Sequence, residues 1–85
     1  MLFLSLKIMT IEVFAVLKEY FDKEFQLQTS AKNIAELKQQ LALQNPEAIN
    51  VLELCRFAVH DEFVDQNFTI NPNDTISIIP PSSGG

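Results

Sequence analysis

Residues 33–42, NIAELKQQLA, predict a helix at the centre of the chain. Asn33 is a favourable N-cap residue, and Glu36 stands three positions later, where it can complete a capping box. Apolar residues recur at the spacing of a helix face: Ile34, Leu37 and Leu41. The side chains expected to face solvent are Lys38, Gln39 and Gln40. Pro46 then opens a second short helical stretch, which is expected to end near Glu53.

Two strands are predicted before this helix. Residues 9–16 are almost entirely apolar and predict strand one. Glu24–Thr29 alternates apolar Phe25 and Leu27 with glutamines, as a half-buried strand does. A short turn of helix is expected between these two strands, over residues 17–21.

The last third of the chain returns to strands. Residues 55–60 predict one strand, and residues 63–64 pair back against it after a polar turn. Residues 71–74, NPND, predict a turn without glycine. Residues 75–79 predict the final strand, which the following proline pair ends. The inward-facing residues expected here are Phe57, Val59, Ile76 and Ile78. The order of elements, with one main helix packed on a mixed sheet, indicates a small α+β roll.

The first eight residues precede the predicted first strand, residues 9–16, and are not needed to complete it. Residues 1–17 form an apolar run, but Lys7 and Glu12 interrupt it, and it is shorter than a membrane span of ~20 residues. No basic segment precedes it, so it does not resemble a signal peptide. Either Met9 is the true start or residues 1–8 extend strand one. We expect a domain over residues 9–79 with a tail over residues 80–85, and we expect a chain that starts at Met9 to fold.

Composition and charge limit the class of function. The chain has 85 residues, of which 47% are hydrophobic and 20% charged, as in one small globular domain. Residues 1–42 sum to zero charge, whereas residues 43–85 carry Arg56 as their only lysine or arginine and account for the net charge of −5 with His60 neutral. An acidic half disfavours nucleic acid and anionic membranes as partners and suits a protein with a basic face. The alternative is that this charge serves solubility alone.

The numbers and positions of cysteine and glycine indicate the redox environment of the protein and draw attention to its C-terminus. Cys55 is the only cysteine, which excludes an intramolecular disulfide and indicates a reducing, cytoplasmic location. The chain has two glycines, Gly84 and Gly85, and they are its last two residues. Average usage would place about six glycines through a chain of this length, mostly in turns. Both glycines stand where no turn of the domain requires them.

The end of the chain resembles a known family. Residues 78–85, IIPPSSGG, resemble the C-terminus of the MoaD-type small subunit of molybdopterin synthase, a sulfur carrier of the ubiquitin-like β-grasp fold. Residues 57–64, FAVHDEFV, are similar to a strand–turn–strand segment of that family, with His60 in place of the usual Asn. The turn at residues 71–74 departs from the family by lacking a glycine.

The resemblance implies a function. The carboxylate of Gly85 is expected to be adenylated with ATP and magnesium by an E1-like enzyme and converted to a thiocarboxylate. The tail, Pro80, Pro81, Ser82, Ser83 and Gly84, is then expected to enter the large catalytic subunit of the synthase and donate sulfur for the dithiolene of molybdopterin. The protein would bind no cofactor or metal of its own, and it would be catalytic only within that heterotetrameric complex.

Strand parity and the resemblance together suggest a docking surface. Side chains at residues 10, 12 and 14 share one face of strand one, and those at 75, 77 and 79 share one face of the last strand. The resemblance implies that Phe14, Phe63 and Ile79 form an exposed hydrophobic patch for both partners. The alternative for each residue is that it completes the core.

Other interpretations stay open. Cys55 could relay sulfur, although a lone cysteine at a strand start is more often a small buried apolar residue. A metal site around His60 would need ligands from the acidic residues beside it: Asp61, Glu62 and Asp65. The rival functions are a thiazole-synthesis sulfur carrier of thiamine biosynthesis, a ubiquitin-like protein modifier, and a plain binding domain whose tail has no role.

Overall fold

The computed structural model describes residues 6–81, which form one mixed sheet with helices on one side. Its strands are β1 (Lys7–Val13), β2 (Glu24–Thr29), β3 (Arg56–Val59), β4 (Glu62–Val64) and β5 (Thr75–Ile79). Its α-helices are α1 (Ile34–Gln44) and α2 (Ile49–Leu54), and 3-10 turns cover Ala15–Glu19 and Pro46–Ala48. The strand order is β2-β1-β5-β3-β4, with β1 and β5 parallel at the centre and the other neighbours antiparallel. The α+β roll predicted from the sequence is confirmed.

Helix α1 begins as its sequence predicts. The Asn33 side chain accepts a hydrogen bond from the Glu36 backbone N–H at 2.9 Å. The Glu36 carboxylate reaches back to the Lys32 N–H at 2.9 Å, one residue before the N-cap. The apolar face is fully buried against the sheet through Ile34, Leu37 and Leu41. Because β1 and β5 direct Ile11 and Ile76 toward the same layer, this contact forms the centre of the core.

The expectation that the polar face of α1 is fully solvated is wrong for Lys38. Only 11% of its side chain is exposed, and its Nζ atom lies 3.6 Å from a carboxylate oxygen of Glu53. Helix α2 packs beside α1 and covers the lysine stem, which a helical period alone does not reveal. Gln40 is half-buried and hydrogen-bonds to Thr29 of β2.

Strand β1 begins at Lys7, earlier than the predicted start at Met9. Ile8 pairs with Gln28, and its carbonyl accepts a hydrogen bond from the Asn73 N–H at 2.9 Å. The Lys7 ammonium donates to the Ile70 carbonyl at 2.9 Å. The boundary expected between residues 8 and 9 therefore falls inside β1, and Lys7 and Ile8 extend the strand. Residues 1–5 lie outside the described residues.

Strand β1 also ends earlier than predicted, at Val13 instead of Val16. Ala15 has a φ of 55°, in the left-handed region, so the chain leaves the sheet there and enters a 3-10 turn. The helical turn expected over residues 17–21 accordingly lies over Ala15–Glu19. Alanine carries no sequence signal for a positive φ, since the steric cost normally keeps it out of this region.

The remaining strands agree with their sequence patterns. The bounds of β2 and β5 are those predicted, and Ile76 and Ile78 are fully buried. The β3–β4 hairpin turns through two residues with positive φ, 54° at His60 and 65° at Asp61. Such a turn usually uses Asn-Gly or Asp-Gly, so this chain forms it without the preferred glycine. Asn73 supplies the positive φ, 69°, in the turn before β5.

Candidate functional site: the root of the C-terminal tail

The tail leaves the sheet from its central region. Strand β5 lies between β1 and β3 and ends at Ile79. Pro80 is buried and Pro81 is exposed. Because proline has no N–H, neither residue can donate to a sheet ladder, and the chain must leave the sheet. The predicted tail residues Ser82, Ser83, Gly84 and Gly85 lie outside the described residues.

One face of the sheet is covered by α1 and α2, and we call the opposite side the outer face. Thr10 pairs with Thr75 and Glu12 with Ser77 on this side. The Ser77 hydroxyl donates to the Glu12 carboxylate at 3.3 Å. The alternate residues of β5, Ile76 and Ile78, are fully buried beneath the helices. The prediction that residues 10 and 12 share one face of β1, and residues 75 and 77 one face of β5, is therefore confirmed.

The three predicted docking residues lie at the tail end of the outer face. Ile79 is half-buried, whereas Phe14 is 44% exposed and Phe63 is 52% exposed. Phe14 follows Val13, which pairs with Ile78, and it keeps extended dihedral angles (φ −125°, ψ 155°). Its side chain therefore continues the outward parity of β1 next to the end of β5. The alternative that Phe14 and Phe63 complete the core does not fit these exposures.

Arg56 joins this group, and sequence reasoning did not assign it a role. It pairs with Ile79 across β3 and β5, and its guanidinium carbon lies 3.7 Å from the centroid of the Phe63 ring. A guanidinium over an aromatic face is held by cation–π attraction. We name Phe14, Ile79, Phe63 and Arg56 the tail-root patch. The available signal was that Arg56 is the only lysine or arginine among residues 43–85 and is the second residue of a predicted strand.

The tail-root patch is suited to binding and not to covalent chemistry. It offers three apolar side chains and one cation, and it contains no hydroxyl, thiol or imidazole. Exposed apolar residues that lie next to one another mark interaction surfaces. The guanidinium adds a donor for a carboxylate or a carbonyl of a partner.

Cys55 precedes β3 and is half-buried. Its thiol donates to the Val51 carbonyl at 3.1 Å. Burial raises the pKa of the Cys55 thiol, and the positive charge of Lys38 opposes this shift in part. A raised pKa disfavours the thiolate, which is the nucleophilic form. The environment of Cys55 therefore favours the structural interpretation over a sulfur relay.

His60 is exposed in the β3–β4 turn. Its Nε2 atom lies 3.7 Å from a carboxylate oxygen of Asp74. The second oxygen of Asp74 accepts a hydrogen bond from the Asn71 N–H at 2.8 Å, which closes the turn before β5. Among residues 6–81, no group of three His, Cys, Asp or Glu side chains is placed to hold a metal ion. No helix in this part of the chain is long and apolar enough to cross a bilayer.

Comparison with solved structures shows the fold. The chain matches Haloferax volcanii small archaeal modifier protein 1 with a TM-score of 0.78 at 13% identity, over 89% of this chain and 99% of that one. It matches a chain of the complex of subunits 1 and 2 of molybdopterin-converting factor from Helicobacter pylori 26695 with a TM-score of 0.68 at 24% identity. That match covers 92% of this chain and 99% of the other. It also matches Caldiarchaeum subterraneum ubiquitin with a TM-score of 0.62 at 10% identity, over 95% of this chain and 100% of that one. The predicted ubiquitin-like β-grasp fold is therefore confirmed.

Sequence comparison adds a relative and a family. The chain is 48% identical over 42 residues to the molybdopterin synthase sulfur carrier subunit of Dictyostelium discoideum. The matched segment is 47% of this chain and 49% of the relative, so the chain spans about half the length of the curated relative it matches. The profile of the ThiS family matches residues 11–85, from β1 through the tail-root patch to the terminal Gly-Gly. The chain therefore belongs to the ThiS family.

Proposed function

We propose that this protein is the sulfur-carrier subunit of a molybdopterin synthase and acts in the cytoplasm. The observation that carries the proposal is an exposed apolar patch at the root of a tail that ends in Gly84-Gly85. The Dictyostelium relative, which is named as a sulfur carrier subunit of this enzyme, supports the choice of pathway. The Helicobacter complex of two subunits supports a larger subunit as the partner.

The reactive group is the C-terminal carboxylate of Gly85. On an E1-like enzyme it attacks the α-phosphorus of magnesium-bound ATP, pyrophosphate leaves, and an acyl-adenylate forms. A donor at the sulfide level, such as hydrosulfide, then attacks the carbonyl carbon, displaces AMP and loses its proton, which leaves a thiocarboxylate. Activation in this way divides one difficult substitution into two easier steps. In the large subunit the thiocarboxylate sulfur attacks the pterin precursor and links the carrier to it as a thioester. Water then cleaves the bond between the sulfur and the Gly85 carbonyl carbon, which leaves the sulfur on the pterin and returns the Gly85 carboxylate. Two carriers in turn supply the two dithiolene sulfurs.

The domain presents this group to its partners. The tail-root patch docks on each partner and places the start of the tail at the partner surface. Pro80 and Pro81 restrict the backbone at the point of departure, which lowers the entropy lost when the tail is ordered. Gly84 and Gly85 have no Cβ atom, so a partner channel can close tightly on the backbone.

The test is sulfur transfer to the purified chain. The protein is incubated with its activating enzyme, magnesium ATP and a sulfur donor, and intact-protein mass spectrometry is used to detect replacement of one oxygen by sulfur. Deletion of Gly85, or addition of one residue after it, is expected to abolish the exchange with no change in thermal unfolding. Formation of molybdopterin by the Gly85 deletion together with the large subunit would contradict the proposal.

Two other functions share the activation step. The likeness to small archaeal modifier protein 1 favours a ubiquitin-like modifier as the second candidate. A modifier would pass its activated carboxyl group to lysine amines, and stable isopeptide conjugates would then appear without a thiocarboxylate. A thiazole-synthesis carrier of thiamine biosynthesis would form the thiocarboxylate but would donate sulfur to a thiazole synthase and not to the molybdopterin synthase large subunit. Reconstitution with each acceptor separates these cases.

A further inference from the structure

The two edges of the sheet differ in a way that points to a second interaction surface. β4, at one edge, has three residues and stands among Asp61, Glu62 and Asp65. β2, at the other edge, has six residues in a continuous register with β1. Short, charged strands protect a sheet edge from pairing, whereas a long regular strand without proline or bulge leaves it available.

The hydrogen-bonding groups on the open side of β2 follow from the register. Val13 donates to the Lys23 carbonyl at 3.0 Å, so this pair is a hydrogen-bonded one. Such pairs alternate along an antiparallel ladder, and the backbone groups of odd-numbered β2 residues therefore point to β1. The N–H and C=O groups of Glu24, Gln26 and Gln28 point away from the sheet. Within residues 6–81 no other strand pairs with them.

We propose that the β2 edge pairs with the β2 edge of a second copy of this chain, antiparallel and centred on Gln26. In this arrangement Gln26 faces Gln26, and Glu24 faces Gln28 of the second copy, twice by symmetry. Each of these pairs can exchange two backbone hydrogen bonds, so all outward groups of the strand are satisfied. Two five-stranded sheets then become one continuous sheet.

The side chains fit this two-fold register on both faces. On the outer face the exposed residues are two neutral amides and one carboxylate, and Glu24 never meets Glu24. On the helix side, half-buried Phe25 comes opposite Leu27 of the second copy, an apolar pair. A directly opposed apolar pair stabilises neighbouring strands, and directly opposed like charges would destabilise them.

The distribution of charge favours a second copy at this edge. Two chains of net charge −5 repel each other, but residues 1–42, which include β1 and β2, sum to zero. The acidic half contains β3 and β4, which lie at the far side of the sheet order. Pairing through β2 therefore keeps the acidic regions of the two copies apart, where ionic screening is most effective. The pairing does not use the tail-root patch, so it is independent of the proposed function.

Charge substitution at the two-fold axis tests the proposal. Sedimentation of the full chain is expected to show a monomer–dimer equilibrium, with Kd between roughly 10 µM and 1 mM. Gln26→Lys and Gln26→Glu each place like charges opposite one another at the two-fold axis. Each variant alone is therefore expected to be monomeric at the protein concentrations where the parent chain dimerises. An equimolar mixture of the two variants is expected to recover the dimer as a mixed pair. Gln39→Lys, an equal change at an exposed position of α1, is the matched control and is expected to dimerise like the parent chain.

Amide hydrogen exchange supplies a readout that does not depend on any substitution. The N–H groups of Glu24, Gln26 and Gln28 are expected to gain protection as the protein concentration rises, while those of Phe25, Leu27 and Thr29 are protected at every concentration. A parent chain that stays monomeric at about 1 mM, with the three outward amides exchanging freely, would overturn the proposal. Dimers of the single Gln26 variants as stable as the parent dimer would overturn it as well.

Discussion

At the residue scale, the tail-root patch depends on the backbone conformation of Ala15, which the sequence does not predict. Ala15 has a φ of 55°, and it turns the chain out of the sheet directly after Phe14. Phe14 is thereby the last residue that follows the outward parity of β1. The steric cost of the left-handed conformation at Ala15 therefore falls where the chain leaves the sheet, beside the proposed binding surface.

Ala15→Gly is expected to stabilise the fold by up to about 1 kcal/mol, because glycine adopts a positive φ without the steric cost of Cβ. Ala35→Gly, inside α1, is the matched control, and this substitution is expected to destabilise the fold by about 1 kcal/mol. Denaturant unfolding of both variants measures the difference. A loss of stability in Ala15→Gly comparable to that of the control would contradict the left-handed assignment.

If the proposed function holds, Phe14→Lys and Ile79→Lys are expected to weaken binding to the proposed large-subunit partner without unfolding this chain. A lysine at the centre of a desolvated apolar contact typically costs about 2 kcal/mol, which corresponds to roughly 30-fold in Kd. Leu43, 81% exposed on α1, provides the control substitution Leu43→Lys. Calorimetric titration measures the Kd, and thermal unfolding checks the fold. Early melting of either patch variant would instead assign that residue to the core.

At the element scale, β1 starts at Lys7, two residues before the predicted start at Met9. Lys7 and Ile8 pair with Thr29 and Gln28, and the Lys7 ammonium reaches the Ile70 carbonyl. A chain that starts at Met9 loses these pairs. The Met9 chain is therefore expected to be less stable than a chain that starts at Lys7, by about 1–2 kcal/mol for the lost hydrogen bonds. Denaturant midpoints of the two truncations compare them, and equal midpoints would show that residues 7 and 8 contribute nothing to the sheet.

At the scale of the whole molecule, charge is divided across the sheet. The neutral half contains β1 and β2, and the acidic half contains β3, β4 and α2. The tail-root patch joins the two halves through Phe14 on one side and Arg56 on the other. A partner with a basic face would be drawn toward the acidic half before the patch makes contact.

The association rate with the proposed large-subunit partner is therefore expected to fall several-fold as ionic strength rises from about 0.02 to 0.3 M, since the Debye length shortens over that range. Neutralisation by Asp61→Asn and Asp65→Asn is expected to reduce both the rate at low salt and its salt dependence. Glu36→Gln, in the neutral half, is the control. Stopped-flow mixing measures these rates, and a rate independent of salt would leave solubility as the role of the acidic half.

Sequence patterns are sufficient to predict the class of fold, the capped start of α1, the bounds of β2 and β5 and the family of the tail. These features depend on local signals, such as the Asn33 cap, the alternation of Glu24–Thr29 and the proline pair after Ile79, which act over a few residues. The sequence also placed Phe14 and Ile79 on matching faces, because strand parity is fixed by covalent geometry.

Other features depend on contacts between segments that are far apart in the sequence, and only the folded chain shows them. Lys38 is covered because α2 packs beside α1, and Arg56 joins the tail-root patch because β3 pairs with both β4 and β5. The limits of β1 at Lys7 and Val13 depend on the Ile70 carbonyl and on the left-handed backbone of Ala15, neither of which is encoded by periodicity. The open edge of β2 follows from the strand order, which forms only when segments far apart in the chain pair with one another.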